Sequence, residues 1–223
     1  MAHGRPDVVV FDVNETLSDM APLAQRFADL GAPEHLAALW FTAVLRDGFA
    51  LAAAQTSAPF VEIASSVLTQ LLRAAGVDDV EAGVEHVLSG LAELDVHPDV
   101  PEGVRALRRA GLRLATLTNG SVGITQSLLS KAGLHQEFER LLSVEDAGVW
   151  KPAPASYAYA VQTLEVAPSA VLLVAVHPWD VDGAHRMGLQ TAWIDREGAD
   201  YPSHLTPPDT RAGGLVDLAA QYA

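Results

Sequence analysis

Four short runs of branched apolar residues limit what this chain can fold into: 7–11 (DVVVF), 112–118 (LRLATLT), 170–176 (AVLLVAV) and 190–194 (QTAWI). They are apolar almost throughout instead of alternating with polar residues. That is the pattern of parallel strands covered on both faces. A weaker run, 140–144 (RLLSV), joins them. Between the runs lie segments with helical signals: 101–111, led by a proline and stopped by a glycine, then 121–133, 154–165 and 182–188. The alternation predicts an α/β fold with a doubly wound, mainly parallel, Rossmann-like sheet.

One stretch breaks the alternation. Residues 19 to 95 hold no valine-rich run, only helix-period segments at 20–30, 33–54, 58–75 and 78–94, separated by Gly31, Pro33, Pro59 and Gly76. The predicted organisation is therefore a core of 1–17 and 97–223, with an all-helical domain, 18–96, inserted after the first strand. An insertion leaving the C-terminal end of a strand is placed to lie over that sheet edge like a lid. An independent helical domain is the alternative that the same pattern allows.

Charge and composition exclude several classes. With 14 Lys and Arg against 28 Asp and Glu, the net charge is −14. Nucleic acid and anionic membrane surfaces would repel such a chain. No apolar run reaches the roughly 20 residues needed to span a bilayer, and the N-terminal MAHGRPD lacks a charged-then-apolar export pattern. The absence of cysteine rules out disulfides and thiolate metal sites. The expectation is a cytoplasmic chain with no nucleic-acid or membrane partner and no cofactor. Histidines 35, 86, 97, 135, 185 and 204 show no metal-ligand spacing.

The chemistry gathers at the ends of the predicted strands. The first ends on Asp12, with Thr16 one turn on. The second ends on Thr118 and Asn119. After the third comes Lys151, between Trp150 and Pro152, and the fourth leads into His177 and Asp180. Taken singly, each has an ordinary reading: Lys151 as a solvated loop lysine, Asp180 and Asp182 as helix caps, His177 as a structural imidazole, and Trp40, Phe41 and Phe60 as core aromatics. Converging on one edge of an α/β sheet, they make a site.

The segments FDVNETL, LTNG, Lys151-Pro152 and HPWDVDGA, in that order, resemble the four motifs of the haloacid dehalogenase superfamily, and the helical insertion is similar to its small cap. Metal-dependent phosphatases of the superfamily carry acids where this chain has Asn14 and Val176. An amide does not exchange a proton near neutral pH, and a valine cannot ligate Mg²⁺. No metal site is therefore expected.

What remains is similar to the L-2-haloacid dehalogenase branch, which acts on a small carboxylic acid through an aspartyl ester. The resemblance implies Asp12 as nucleophile and Lys151 as the cation keeping it ionised. Thr16, Thr118 and Asn119 would hold carboxylates, Tyr157 would stand beside the lysine, and Asp180 would help to activate water. Asn14, Phe41, Leu45, Phe60 and Trp179 complete the expected substrate pocket, and a homodimer is implied. Three positions depart from the branch. Phe41 stands where the branch has an arginine, Ala175 where it has a serine, and His177 where it has an asparagine. Arg46, about 140° further around a helix, is poorly placed to replace that arginine. His177 is expected to act on a departing leaving group or, alternatively, as the base for ester hydrolysis. A strained-ring substrate and a non-catalytic binding protein are the competing readings.

Overall fold

The protein is described by a computed structural model over residues 4–223. Six strands form one sheet: β1 (Val8–Phe11), β2 (Arg113–Thr118), β3 (Arg140–Ser143), β4 (Val171–Ala175), β5 (Gln190–Ile194) and β6 (Thr210–Ala212). All pair in parallel, in the order β3-β2-β1-β4-β5-β6. β1, β4 and β5 are buried along their whole length, as continuous apolar runs require. The first five strands coincide with the five runs. β6, Thr-Arg-Ala with only its alanine buried, is an edge strand too short and too polar to carry a sequence signal.

Four helices stand between β1 and β2: α1 (Leu23–Asp29), α2 (Leu36–Ala53), α3 (Phe60–Ala74) and α4 (Val80–Gly90). The core adds α5 (Val100–Arg109), α6 (Val122–Lys131), α7 (Val144–Ala147), α8 (Pro154–Leu164), α9 (Pro178–Arg186) and α10 (Leu215–Ala220). The chain enters and leaves the insertion side by side. Asp19 N donates to Asp95 O at 2.8 Å and His97 N to Leu17 O at 3.0 Å, around a bridge between Ser18 and Val96. α2 is long and apolar enough by composition to cross a membrane, with a mean hydropathy of 1.4. In the fold it is instead a packed helix, burying Leu36, Trp40, Phe41, Ala43, Val44 and Gly48.

Two close approaches fix the site's frame. A Cβ on Gly48 of α2 would lie 2.3 Å from the Trp150 ring, so the insertion meets the core there at backbone distance. A Cβ on Gly183 of α9 would lie 2.6 Å from the Tyr157 hydroxyl and 2.7 Å from Pro152, so α9 lies flush against the lysine loop. α9 starts at Pro178, which suits the first turn because proline has no N–H to leave unpaired. Neither Asp180 nor Asp182 caps it, since the cap position is His177. The strand order reverses between β1 and β4, and ligands of open α/β sheets bind at such a switch point.

Candidate active site

Asp12 stands just past β1 at that switch point, its N–H donating to Val174 O of β4 at 3.0 Å. The residue is 4% exposed and its carboxylate is fully engaged. Oδ1 accepts from Lys151 Nζ at 2.9 Å, and Oδ2 accepts from Thr16 Oγ1 at 2.7 Å and from His177 Nδ1 at 3.0 Å. Thr16 Oγ1 in turn accepts from Val176 N at 3.1 Å, which fixes the direction of its proton toward Asp12. Burial alone would push the Asp12 carboxyl up. The Lys151 ammonium, followed by His177 and Thr16, outweighs burial and holds it well below the usual carboxylate range.

Lys151 is completely buried and sits between two carboxylates, at 2.9 Å from Asp12 and 2.5 Å from Asp180 Oδ2. Burial disfavours its charge, and the two carboxylates more than restore it. Asp180, also fully buried, gives its other oxygen to Tyr157 OH at 2.6 Å. Burial, reinforced by the nearby Asp12 charge, raises Asp180 against the pull of Lys151. Tyr157 is raised well above its ordinary value by burial and then by Asp180, so its hydroxyl stays a donor. The loop is held from the backbone as well: Lys151 N donates to Asn119 Oδ1 at 2.9 Å, and Asn119 Nδ2 donates to Lys151 O at 3.4 Å.

His177 bridges two acids. Nδ1 faces Asp12, and Nε2 lies 2.8 Å from Glu15 Oε2. Burial pulls its pKa down, but the bonds and charges of Asp12 and Glu15 carry it up to about 9. Glu15 is the site residue that the sequence reading missed. It sits in the left-handed region at φ 61°, a conformation that costs a non-glycine residue about 1–2 kcal/mol. Two bonds support its backbone: its N–H donates to Ser18 Oγ at 3.3 Å, and its carbonyl lies 2.9 Å from His97 Nε2. A glutamate directly before the motif threonine was the available signal, and its left-handed geometry is invisible in sequence.

Above this floor run two adjoining grooves of about 610 and 540 Å³. Glu15, Phe41 and His177 line both. The smaller continues along Leu45, Arg46, Phe49 and Trp179. The imidazole lies 5.0 Å from the Trp179 ring and 6.2 Å from Phe41, centroid to centroid. Thus Asp12, Thr16, Asn119, Lys151, Tyr157, His177 and Asp180 form one hydrogen-bonded network, and Phe41, Leu45 and Trp179 line its approach.

Several residues near the site take roles other than those the resemblance implies. Phe60 lines neither groove; it stacks on Trp150 at 6.1 Å, in the seam between insertion and core, because the Trp150 indole is anchored there by its bond to Ala58 O. Thr118 Oγ1 accepts from Gly120 N, and Asn119 is spent on Lys151, so both shape the loop tips from within. Asn14 bridges Ser18 at the root of the insertion, its amide beside Gly120. Arg46 pairs with its neighbour Asp47 and is 70% exposed.

Residues 6–188 match the family described as haloacid dehalogenase-like hydrolase. The chain is similar to the (S)-2-haloacid dehalogenase of Pseudomonas sp. (strain YL), 31% identical over 210 residues, 93% of this chain and 90% of that one. It is 30% identical to (S)-2-haloacid dehalogenase 4A of Burkholderia cepacia over 211 residues, 94% of this chain and 91% of that one. Among solved structures, the L-2-haloacid dehalogenase of Xanthobacter autotrophicus with chloropropionic acid covalently bound superposes with a TM-score of 0.87 at 26% identity, covering 96% of this chain and 97% of that one. With its sheet, motifs and sequence relatives in agreement, the chain belongs to the haloacid dehalogenase-like hydrolases.

Proposed function

We propose that the chain hydrolyses the carbon–halogen bond of short 2-haloacids through an ester on Asp12, without a metal ion. The observation that carries this is the state of Asp12: a buried carboxylate kept anionic by an ammonium, an imidazolium and a hydroxyl, beneath grooves large enough for a small acid. An Asp12 oxygen attacks C2, and the C–X electron pair leaves with the halide. Water then adds to the Asp12 acyl carbon, and the ester C–O bond breaks to release a 2-hydroxy acid and regenerate the carboxylate. One proton is released per turnover. The names of the relatives, and the covalent adduct in the Xanthobacter structure, support the same chemistry here.

The residues support a metal-free reading. The cation between Asp12 and Asp180 is the chain's own Lys151. Val176 has no side-chain donor atom; its backbone N–H is spent on Thr16 and its carbonyl accepts from the Trp193 indole. The proposal includes a cytoplasmic location and a homodimer; a monomer in sedimentation velocity at micromolar concentration would remove the dimer.

A halide-release screen over 2-chloro and 2-bromo acids in EDTA tests the substrate class, with activity expected undiminished by the chelator. One turnover in H₂¹⁸O with enzyme in excess tests the mechanism. Label is expected in the Asp12 carboxylate, and label confined to the product would mean direct attack by water.

A further inference from the structure

We propose that Glu15 and His177 form a carboxylate–imidazole dyad serving the second half-reaction. His177 Nδ1 takes the proton of the water that hydrolyses the Asp12 ester, and Glu15 is the positioning residue that holds the ring. This rests on the ester mechanism above.

The geometry supplies both parts of a base and its orienting group. Nδ1 is 3.0 Å from Asp12 Oδ2, at the atoms that become the ester. Nε2 is 2.8 Å from Glu15 Oε2, and a carboxylate there selects the tautomer with the proton on Nε2, leaving a lone pair on Nδ1 once the ring is neutral. Glu15 is itself placed by Ser18 and His97, the residues at which the chain enters and leaves the insertion. Asp180, to which resemblance assigns the water, has its oxygens on Lys151 and Tyr157 and no exposed surface. His177 lines both grooves.

A leaving-group role fits this geometry poorly. Displacement at carbon is in line, so halide departs on the face of C2 away from the attacking oxygen. Nδ1, bonded to that carboxylate, is on the nucleophile's side.

The charges also change in the required direction. The groups facing the ring are Asp12 and Glu15 from the segment after β1, with Lys151 behind Asp12; Phe41 of α2 and Trp179 of α9 are uncharged. In the resting site the two carboxylates keep the ring protonated up to about pH 9. Alkylation of Asp12 cancels one of them, and the ring releases its Nδ1 proton to solvent. Water then adds to the acyl carbon as its proton passes to Nδ1. Collapse expels the alcohol oxygen, which takes the proton of the added hydroxyl. Asp12 returns as a carboxylate beside an imidazolium, the starting state.

The test is rapid acid quench of the full chain with 2-chloropropionate, reading chloride release and the mass of the alkylated protein. Ester formation and decay are both measured on the competent fraction, so their ratio is insensitive to partial misfolding. His177→Asn should keep ester formation within about threefold and slow decay about 100-fold, the lower range of general-base contributions. Glu15→Gln should slow decay about tenfold. In wild type, decay should rise with pH through one ionisation, which His177→Asn abolishes and Glu15→Gln moves to lower pH. Equal slowing of formation and decay, or unchanged decay and pH profile, overturns the dyad while leaving the ester mechanism intact. Absence of both chloride and ester in the wild type overturns the proposed function and the dyad with it.

Discussion

The floor of the site and its roof are built on opposite principles. In the floor, Asp12, Lys151, Asp180 and Tyr157 are buried, and each polar head is bonded to another member of the set. The roof, Phe41, Leu45, Phe49 and Trp179, is mostly apolar and contributes shape. The contrast follows from the dielectric. A buried ion pair is tolerated only when every charge has a partner, which leaves the floor no freedom to vary. An apolar wall accepts substitution of similar volume at small cost. On the proposed mechanism, chemistry would reside in the floor and discrimination among substrates in the roof, with His177 and Glu15 at the boundary.

The largest effect expected from disturbing this division is at Asp12. Asp12→Ala should abolish halide release by several orders of magnitude while the fold survives, as circular dichroism and a cooperative melt would show. Residual turnover within tenfold of wild type would end the nucleophile reading.

Lys151→Met should come next. It removes the cation between two buried carboxylates and leaves His177 as the cation on Asp12, and breaking a buried pair costs about 3–5 kcal/mol. A matching loss in denaturant stability is expected, together with activity that appears only as pH rises and Asp12 can still ionise. A variant as stable as wild type would show that the floor is wetter than its burial implies.

The boundary has its own signature in pH. The folded pKa of His177 is raised, from 6.5 to about 9. Its stabilisation is thus fully present below about pH 6.5 and is lost as pH rises through about 9, on the order of 3 kcal/mol in all. Denaturant midpoints across that window should fall in wild type and flatten in His177→Asn. Parallel slopes for the two proteins would place the charge elsewhere.

Arg46 should matter least. Exposed and paired with Asp47, it should change kcat/KM for 2-chloropropionate by less than about threefold when replaced by Gln. A tenfold loss would show that the roof supplies a cation to the substrate after all, sharpening its role from shape to charge.

How far the sequence reaches differs between these same regions. The strand ends were legible because buried parallel strands must be apolar, so Asp12, Thr118 and Asn119 stand out where the apolar runs stop. His177 stands out beside them as the polar group that follows the run 170–176, and Lys151 as the lysine set between Trp150 and Pro152 after the run 140–144. The helical insertion was legible because it lacks any such run. β6 was not, since three residues at a sheet edge carry no pattern, and Phe60 was misplaced in the pocket because a phenylalanine reads the same at a seam as in a wall.

The sequence by itself determined the parallel sheet, the site of the insertion and the set of groups at the strand ends, because strand burial shows as local apolarity and the residue that follows each strand is fixed by the chain. Only the tertiary structure decided how those groups are shared. Asn119 holds the lysine loop, Asp180 is closed inside the network, and Glu15, held at φ 61° by Ser18 and His97, reaches His177. Apart from the Ser18 bond, each of these depends on groups 23 to 162 residues apart being within 3 Å of one another, and a hydrogen bond's direction across such separations is set by packing.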